Sequence, residues 1–151
     1  MPEFERDFIL RQIRRIAQMV ARIVLRAREQ ASCESGLEAV RAAVADGLGM
    51  DYGVLSRLDP ASVALLVREG EVLRTLAWIA EQEAGLTAGA GDSAAAERLR
   101  RRASALYAEC AERSPEEAPA CLEAARAMRD GIDVASMDPR HRRWLDGAAG
   151  E

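Results

Sequence analysis

Ile9, Ile13, Ile16, Val20, Ile23 and Ala27 recur at alternating spacings of four and three residues, a rhythm that only an α-helix turns into one continuous seam. Leu10, Ala17, Met19 and Val24 widen the seam to an apolar arc of roughly 200°, broader than the stripe of an ordinary surface helix. The polar remainder is narrow: Arg11, Arg14, Arg15, Gln18, Arg22 and Arg26. A helix from Phe4 to Glu29 so constituted needs apolar contact on two sides. Ile13, Ile16, Val20 and Ile23 are expected to face the chain's own core. Leu10, Ala17 and Val24, toward the other flank, are expected to meet a partner or a twin chain.

The 151 residues suffice for one domain that buries a core without metals or disulfides. The net charge of -4 is unevenly spread. Residues 1–30 hold seven Arg against four acids, residues 31–97 four against eleven, and residues 98–151 ten against ten. Basic character is thus confined to the first helix and a few short runs, which argues against a nucleic-acid footprint over the whole domain. All 21 basic residues are Arg, the signature of a GC-rich genome. Cys33, Cys110 and Cys121 are odd in number and far apart in sequence, so neither a disulfide framework nor a zinc site is expected. The first residues lack the basic start, long apolar centre and small-residue cleavage site of a signal peptide, no stretch reaches about 18 uncharged apolar residues, and a cytoplasmic protein is expected.

Helix punctuation divides the rest. Ser35 and Glu38 form a capping box ahead of Leu37, Val40 and Val44, with Gly47 and Gly49 as the stop. Tyr52 to Leu58 is a short turn of helix or a connector, and Asp59-Pro60 starts a segment that runs to Gly70. Residues 71–84 repeat at helical spacing and Gly85 closes them. Thr87 to Gly91 is expected to be a flexible loop. Asp92 or Ser93 caps a helix through Leu106 and Cys110, and Ser114-Pro115 or Pro119 begins another through Leu122 and Met128. No alternating strand pattern occurs. The expectation is an all-α fold of five or six helices over residues 1–130, then a C-terminal tail, 131–151, with at most one helical turn after Asp138-Pro139.

Phe4-Glu5-Arg6-Asp7-Phe8-Ile9-Leu10-Arg11-Gln12-Ile13 resembles the opening of an uncharacterised family of small bacterial all-helical proteins, with its aromatic-acidic-x-Asp-aromatic-Ile-x-Arg-x-Ile segment. Leu65 to Val72 resembles that family's short helix, Glu-Gly turn and following helix, which is also how tetratricopeptide-type hairpins are joined. The resemblance covers most of residues 4–130 and implies a long N-terminal helix packed on tetratricopeptide-like antiparallel hairpins. It implies no activity, and no 34-residue tetratricopeptide period can be laid on the chain.

His141 is the only histidine, which removes two-histidine metal sites and is read as removing His-dependent catalysis too. It sits in Arg140-His141-Arg142-Arg143-Trp144, read as a solvated tail. Arg98 and Arg100 to Arg102 fan around their helix and read as a solvated face. Glu69, Glu71, Glu81 and Glu83 read as acidic surface, since nothing nearby separates their pKa values. Trp78 falls off its helix's apolar stripe, beside Glu71, Arg74, Glu81 and Gln82. It either packs on a neighbouring layer or anchors a partner, as exposed Trp and Arg concentrate interface energy.

No catalytic, cofactor-binding or metal-ligating residue is assigned. The expected function is a non-catalytic protein-interaction or scaffold domain with a protein partner or a second copy, engaging Leu10, Ala17, Val24 and Trp78. The alternative is a peripheral membrane protein bound through its basic amphipathic first helix. An enzyme confined to carboxylate and Arg chemistry is the third reading.

Overall fold

A computed structural model describes residues 3–49 and 52–149, except the side chains of Phe4 and of residues 147–149. Phe4, which opens the family-like segment, and Gly150 and Glu151, at the end of the expected tail, therefore fall wholly or partly outside it. The described residues form eight α-helices and no strand: α1 (Glu3–Glu29), α2 (Cys33–Leu48), α3 (Tyr52–Leu55), α4 (Pro60–Leu66), α5 (Gly70–Gly89), α6 (Ser93–Arg113), α7 (Ala118–Met128) and α8 (Pro139–Ala149). The two beyond the expected count are the single turn α3 and the terminal α8.

Two hairpins, α1–α2 and α5–α6, turn in the same way. After α1 the Ser32 amide donates to Ala27 O at 2.9 Å with Ala31 at φ 51°. After α5 the Asp92 amide donates to Thr87 O at 3.2 Å with Gly91 at φ 93°. Both are closures through a left-handed residue that leave the next residue as a helix cap. They move two boundaries from the sequence reading. With Ala31 reversing the chain, α2 begins at Cys33 with Ser32 as its cap, so the Ser35/Glu38 capping box is not used. With Gly91 as the reversal, α5 continues through Gly85 to Gly89, and the expected flexible loop shrinks to a tight turn with Thr87 buried. A Cβ at Gly89 would lie 2.5 Å from Cys33 Sγ and would force that side chain to move.

Elsewhere Asp59 and Asp92 cap α4 and α6 as their sequence contexts predict, accepting from the Ser62 and Ala95 amides at 3.2 and 3.1 Å. α4 stops at Leu66, short of Gly70, and α7 starts at Ala118 with Pro119 in its first turn. Gly47 stays inside α2, and Gly49, at φ 64°, ends it.

α5 packs against α1, α2 and α6, while α6 packs against α4, α5, α7 and α8. Ile13, Ile16, Val20, Val24 and Ala27 of α1 bury against this centre. Nine consecutive residues of α6, Ala103 to Ala111, are buried, which no one-sided amphipathic helix can be. The element that closes its outer side is the segment expected to be a tail. Ile132, Met137, His141 and Leu145 are buried, α8 lies on α6 and α7, and the fold extends well past residue 130.

Candidate functional site

A groove of about 840 Å³ is floored by α5 and walled by α1 and α7. Its walls combine small side chains, Ala17 and Ala21 on α1 and Ala120, Ala124 and Ala127 on α7, with the longer Arg14, Gln18 and Glu123. Between them stand Glu71, Arg74, Thr75, Trp78 and Glu81 of α5, with Tyr107 of α6 behind.

Most polar groups of the floor are tied to a neighbouring element. Arg14 of α1 grips Glu71 with a fork, Nε to Oε1 at 2.7 Å and Nη2 to Oε2 at 2.9 Å. The hydrogen bonds and charge of Arg14 hold the Glu71 carboxyl below its usual range. Arg74 pairs with Glu117, just before α7, at 2.7 Å. Tyr107 Oη donates to Glu81 Oε1 at 2.9 Å, and burial together with that carboxylate pushes the phenol pKa up. Trp78 differs. Half-buried against the core, its indole N–H has no protein partner among the described residues. The groove thus has an ion-paired, preset floor with one large amphipathic ring left open.

Of the four residues assigned to partner contact from sequence, Ala17 and Trp78 are brought together in this groove. Leu10 is elsewhere, half-buried against the core. Val24 is corrected: at 5% exposure it belongs to the monomer's own core. α2 and α5 both pack on α1 and bury its central seam, leaving Leu10 and Ala17 half-buried and Met19 exposed at the edges of the arc. Most of the arc is therefore accounted for inside one chain.

Three buried polar clusters escaped the sequence reading. Glu83, expected at the surface, is 3% exposed. Tyr52 donates to its Oε1 and Arg41 Nε to its Oε2 at 3.2 Å. They line a second cavity of about 410 Å³ with Arg57 and Arg102. Arg102 is spent on the α3–α4 junction, donating to Leu55 O at 3.0 Å and to Leu58 O. The second cluster centres on Glu109, fully buried on α6. His141 Nε2 lies 2.9 Å from its Oε1, Arg140 also pairs with Oε1, and Arg113 Nε lies 3.4 Å from Oε2. The lone histidine is thus a docking contact of α8 and not a tail residue. A charge at 109 set among Ala105, Leu106, Tyr107, Ala108, Cys110 and Ala111 was the available signal.

The third cluster is Cys110 and Cys121, both buried, their thiols hydrogen-bonded to each other, with Cys110 Sγ also donating to Gly70 O at 3.3 Å. The hydrogen bond to Cys110, together with burial, pushes Cys121 well above the usual thiol range. All three cysteines are free thiols. Among the described residues no group of three or more His, Cys, Asp or Glu could hold a metal ion, and no helix is long and apolar enough to cross a membrane. No family model, curated protein or solved structure matches the chain.

Proposed function

We propose that the protein is a non-catalytic interaction domain that receives a short segment of a partner protein in the groove between α1 and α7. Trp78 carries the reading. It is a ring whose N–H lacks a protein partner among the described residues, set in a groove with five Ala in its lining, and Trp in a recess is the residue type that dominates interface energies. The occupant is a peptide or helical segment of roughly two turns, since Ala120 to Ala127 spans only about 10 Å of helix. It presents one large apolar side chain to Trp78. Pre-paired Arg14–Glu71 and Arg74–Glu117 keep the floor ordered before binding, which lowers the entropic cost of association. In this reading α1–α2 and α5–α6 act as tetratricopeptide-like hairpins stacked to form a concave face, the chain belongs to the uncharacterised bacterial family its first helix resembles, and it works in the cytoplasm.

Peptide-phage selection on the purified protein tests the reading. The selected peptides should lose binding to Ala124→Arg, which fills the groove from an α7 position, and to Trp78→Ala, with melting temperature unchanged in the former. Selected peptides that bind Ala124→Arg as well as wild type would refute it, as would failure to enrich any sequence. If light scattering gave a dimer that Ala124→Arg dissolves, the occupant would be a second copy instead.

A further inference from the structure

With the central seam of its apolar arc buried, α1 keeps an outward stripe that takes in only Met19 from the arc's edge. Phe8, Arg11, Arg15, Met19, Arg22 and Arg26 follow one another at spacings of three, four, four, three and four, and all six are exposed, Phe8 by 51% and Met19 by 42%. Arg11, Arg15, Arg22 and Arg26 have no ion-pair partner among the described residues, whereas Arg6 and Arg14, on the side of α1 that faces α5, are paired to Glu69 and Glu71. The four guanidiniums extend over about 22 Å of straight helix. The acids of α1 are confined to its ends, at Glu3, Glu5, Asp7 and Glu29. Ser32, the cap of the adjoining α2, and Ser35, Gly36 and Ala39 on it line the trough beside Met19, Arg22 and Arg26, with no acid among the lining residues. In a chain of net charge -4, this is a uniformly basic strip with two bare apolar side chains set into it.

We propose that this stripe seats the protein against the surface of an anionic lipid bilayer. The four Arg side chains supply the attraction, each worth about five-fold in binding at a negatively charged leaflet. Phe8 and Met19 enter the headgroup boundary, where apolar side chains gain and where a nucleic-acid backbone would offer them nothing. Contact is made by the Arg-bearing side of α1 and not by its hydrophobic arc, so the bundle stays folded on the membrane. The stripe lies on a different side of α1 from the groove-lining Arg14, Ala17, Gln18 and Ala21, and a seated protein keeps that groove open to solvent.

The test is co-sedimentation of the full chain with phosphatidylcholine vesicles with and without phosphatidylserine. Binding is expected only with phosphatidylserine and is expected to weaken as salt rises. Arg15→Glu/Arg22→Glu should reduce it by more than about 25-fold, two Arg contributions being lost and reversed. Phe8→Ser/Met19→Ser should reduce it several-fold. All four positions are exposed, so unchanged circular dichroism melting separates lost binding from lost folding. Absence of sedimentation, equal binding to neutral vesicles, or indifference to the Arg15/Arg22 reversal would overturn the proposal. So would tighter binding to duplex DNA that depends on the same Arg residues but not on Phe8 and Met19.

Discussion

Replacing Gly36 with Ala tests the closest approach of α1 and α2. In an open helix interior the change stabilises by about 1 kcal/mol, through the better helix propensity of Ala. Here the new Cβ would lie 2.5 Å from the Ala27 Cβ, with the two Leu86 methyls at 3.5 and 3.7 Å on another side. Ordinary carbon contacts are about 3.5–4.0 Å, so the helices must part by about 1 Å. The Ala27 Cβ is fixed to the backbone and cannot rotate away. Overpacking of this kind costs about 1–3 kcal/mol, and with the propensity gain subtracted the net loss is up to about 2 kcal/mol. For a chain of this size that lowers Tm by as much as about 4–8 °C. Gly85→Ala is the control, because its Cβ would meet only the mobile Arg28 Nη2, at 3.2 Å. It should stabilise by about 0.5–1 kcal/mol. Adding Ala27→Gly to Gly36→Ala moves the methyl across the interface and should restore most of the loss in urea unfolding followed by circular dichroism. If Gly36→Ala and Gly85→Ala stabilise equally, the helix crossing described here is wrong.

Glu109→Ala removes the shared acceptor of Arg140, Arg113 and His141 and should destabilise by about 3 kcal/mol, the lower end for breaking a buried pair; deuterium uptake should rise first in residues 139–149, and unchanged uptake there would show that α8 does not depend on this contact. Tyr52 and Tyr107 have phenol pKa values raised by burial and by Glu83 and Glu81. Their stabilisation is therefore complete below the unfolded value near 10 and is lost as pH rises above it, by about 1.4 kcal/mol per pH unit for each. Phenolate absorbance should appear only together with loss of the helical signal, and titration of either tyrosine near pH 10 in folded protein would contradict the burial. Asp59→Ala should cost about 1 kcal/mol as a lost helix cap, read as a small drop in urea midpoint.

The all-helical class was legible because spacing and caps act locally. The seam from Ile13 to Ala27 and the caps at Asp59 and Asp92 need no knowledge of the partners they meet. Burial of the outer side of α6 was not legible, because Glu109 becomes a core residue only once Arg140 and His141 arrive from 31 and 32 positions away. The Cys110–Cys121 contact likewise depends on how α6 meets α7, which sequence separation does not encode. Val24 was misplaced for a related reason. Arc width states how much of a helix is covered, not whether its own chain or another covers it. Trp78 stood out in sequence because it leaves the apolar stripe, and its place on the groove floor follows from that offset.

The most direct measurement of partner docking is a two-dimensional amide NMR titration of the labelled protein with a groove-selected peptide. Two indole signals, from Trp78 and Trp144, serve as internal probe and control. Docking at the groove predicts that the Trp78 indole signal shifts, together with the amides of Ala17, Ala21, Ala120 and Ala124, while the Trp144 indole, half-buried on α8, stays in place. Shifts confined to the outward stripe of α1 or to α8, with the Trp78 indole unmoved, would contradict it.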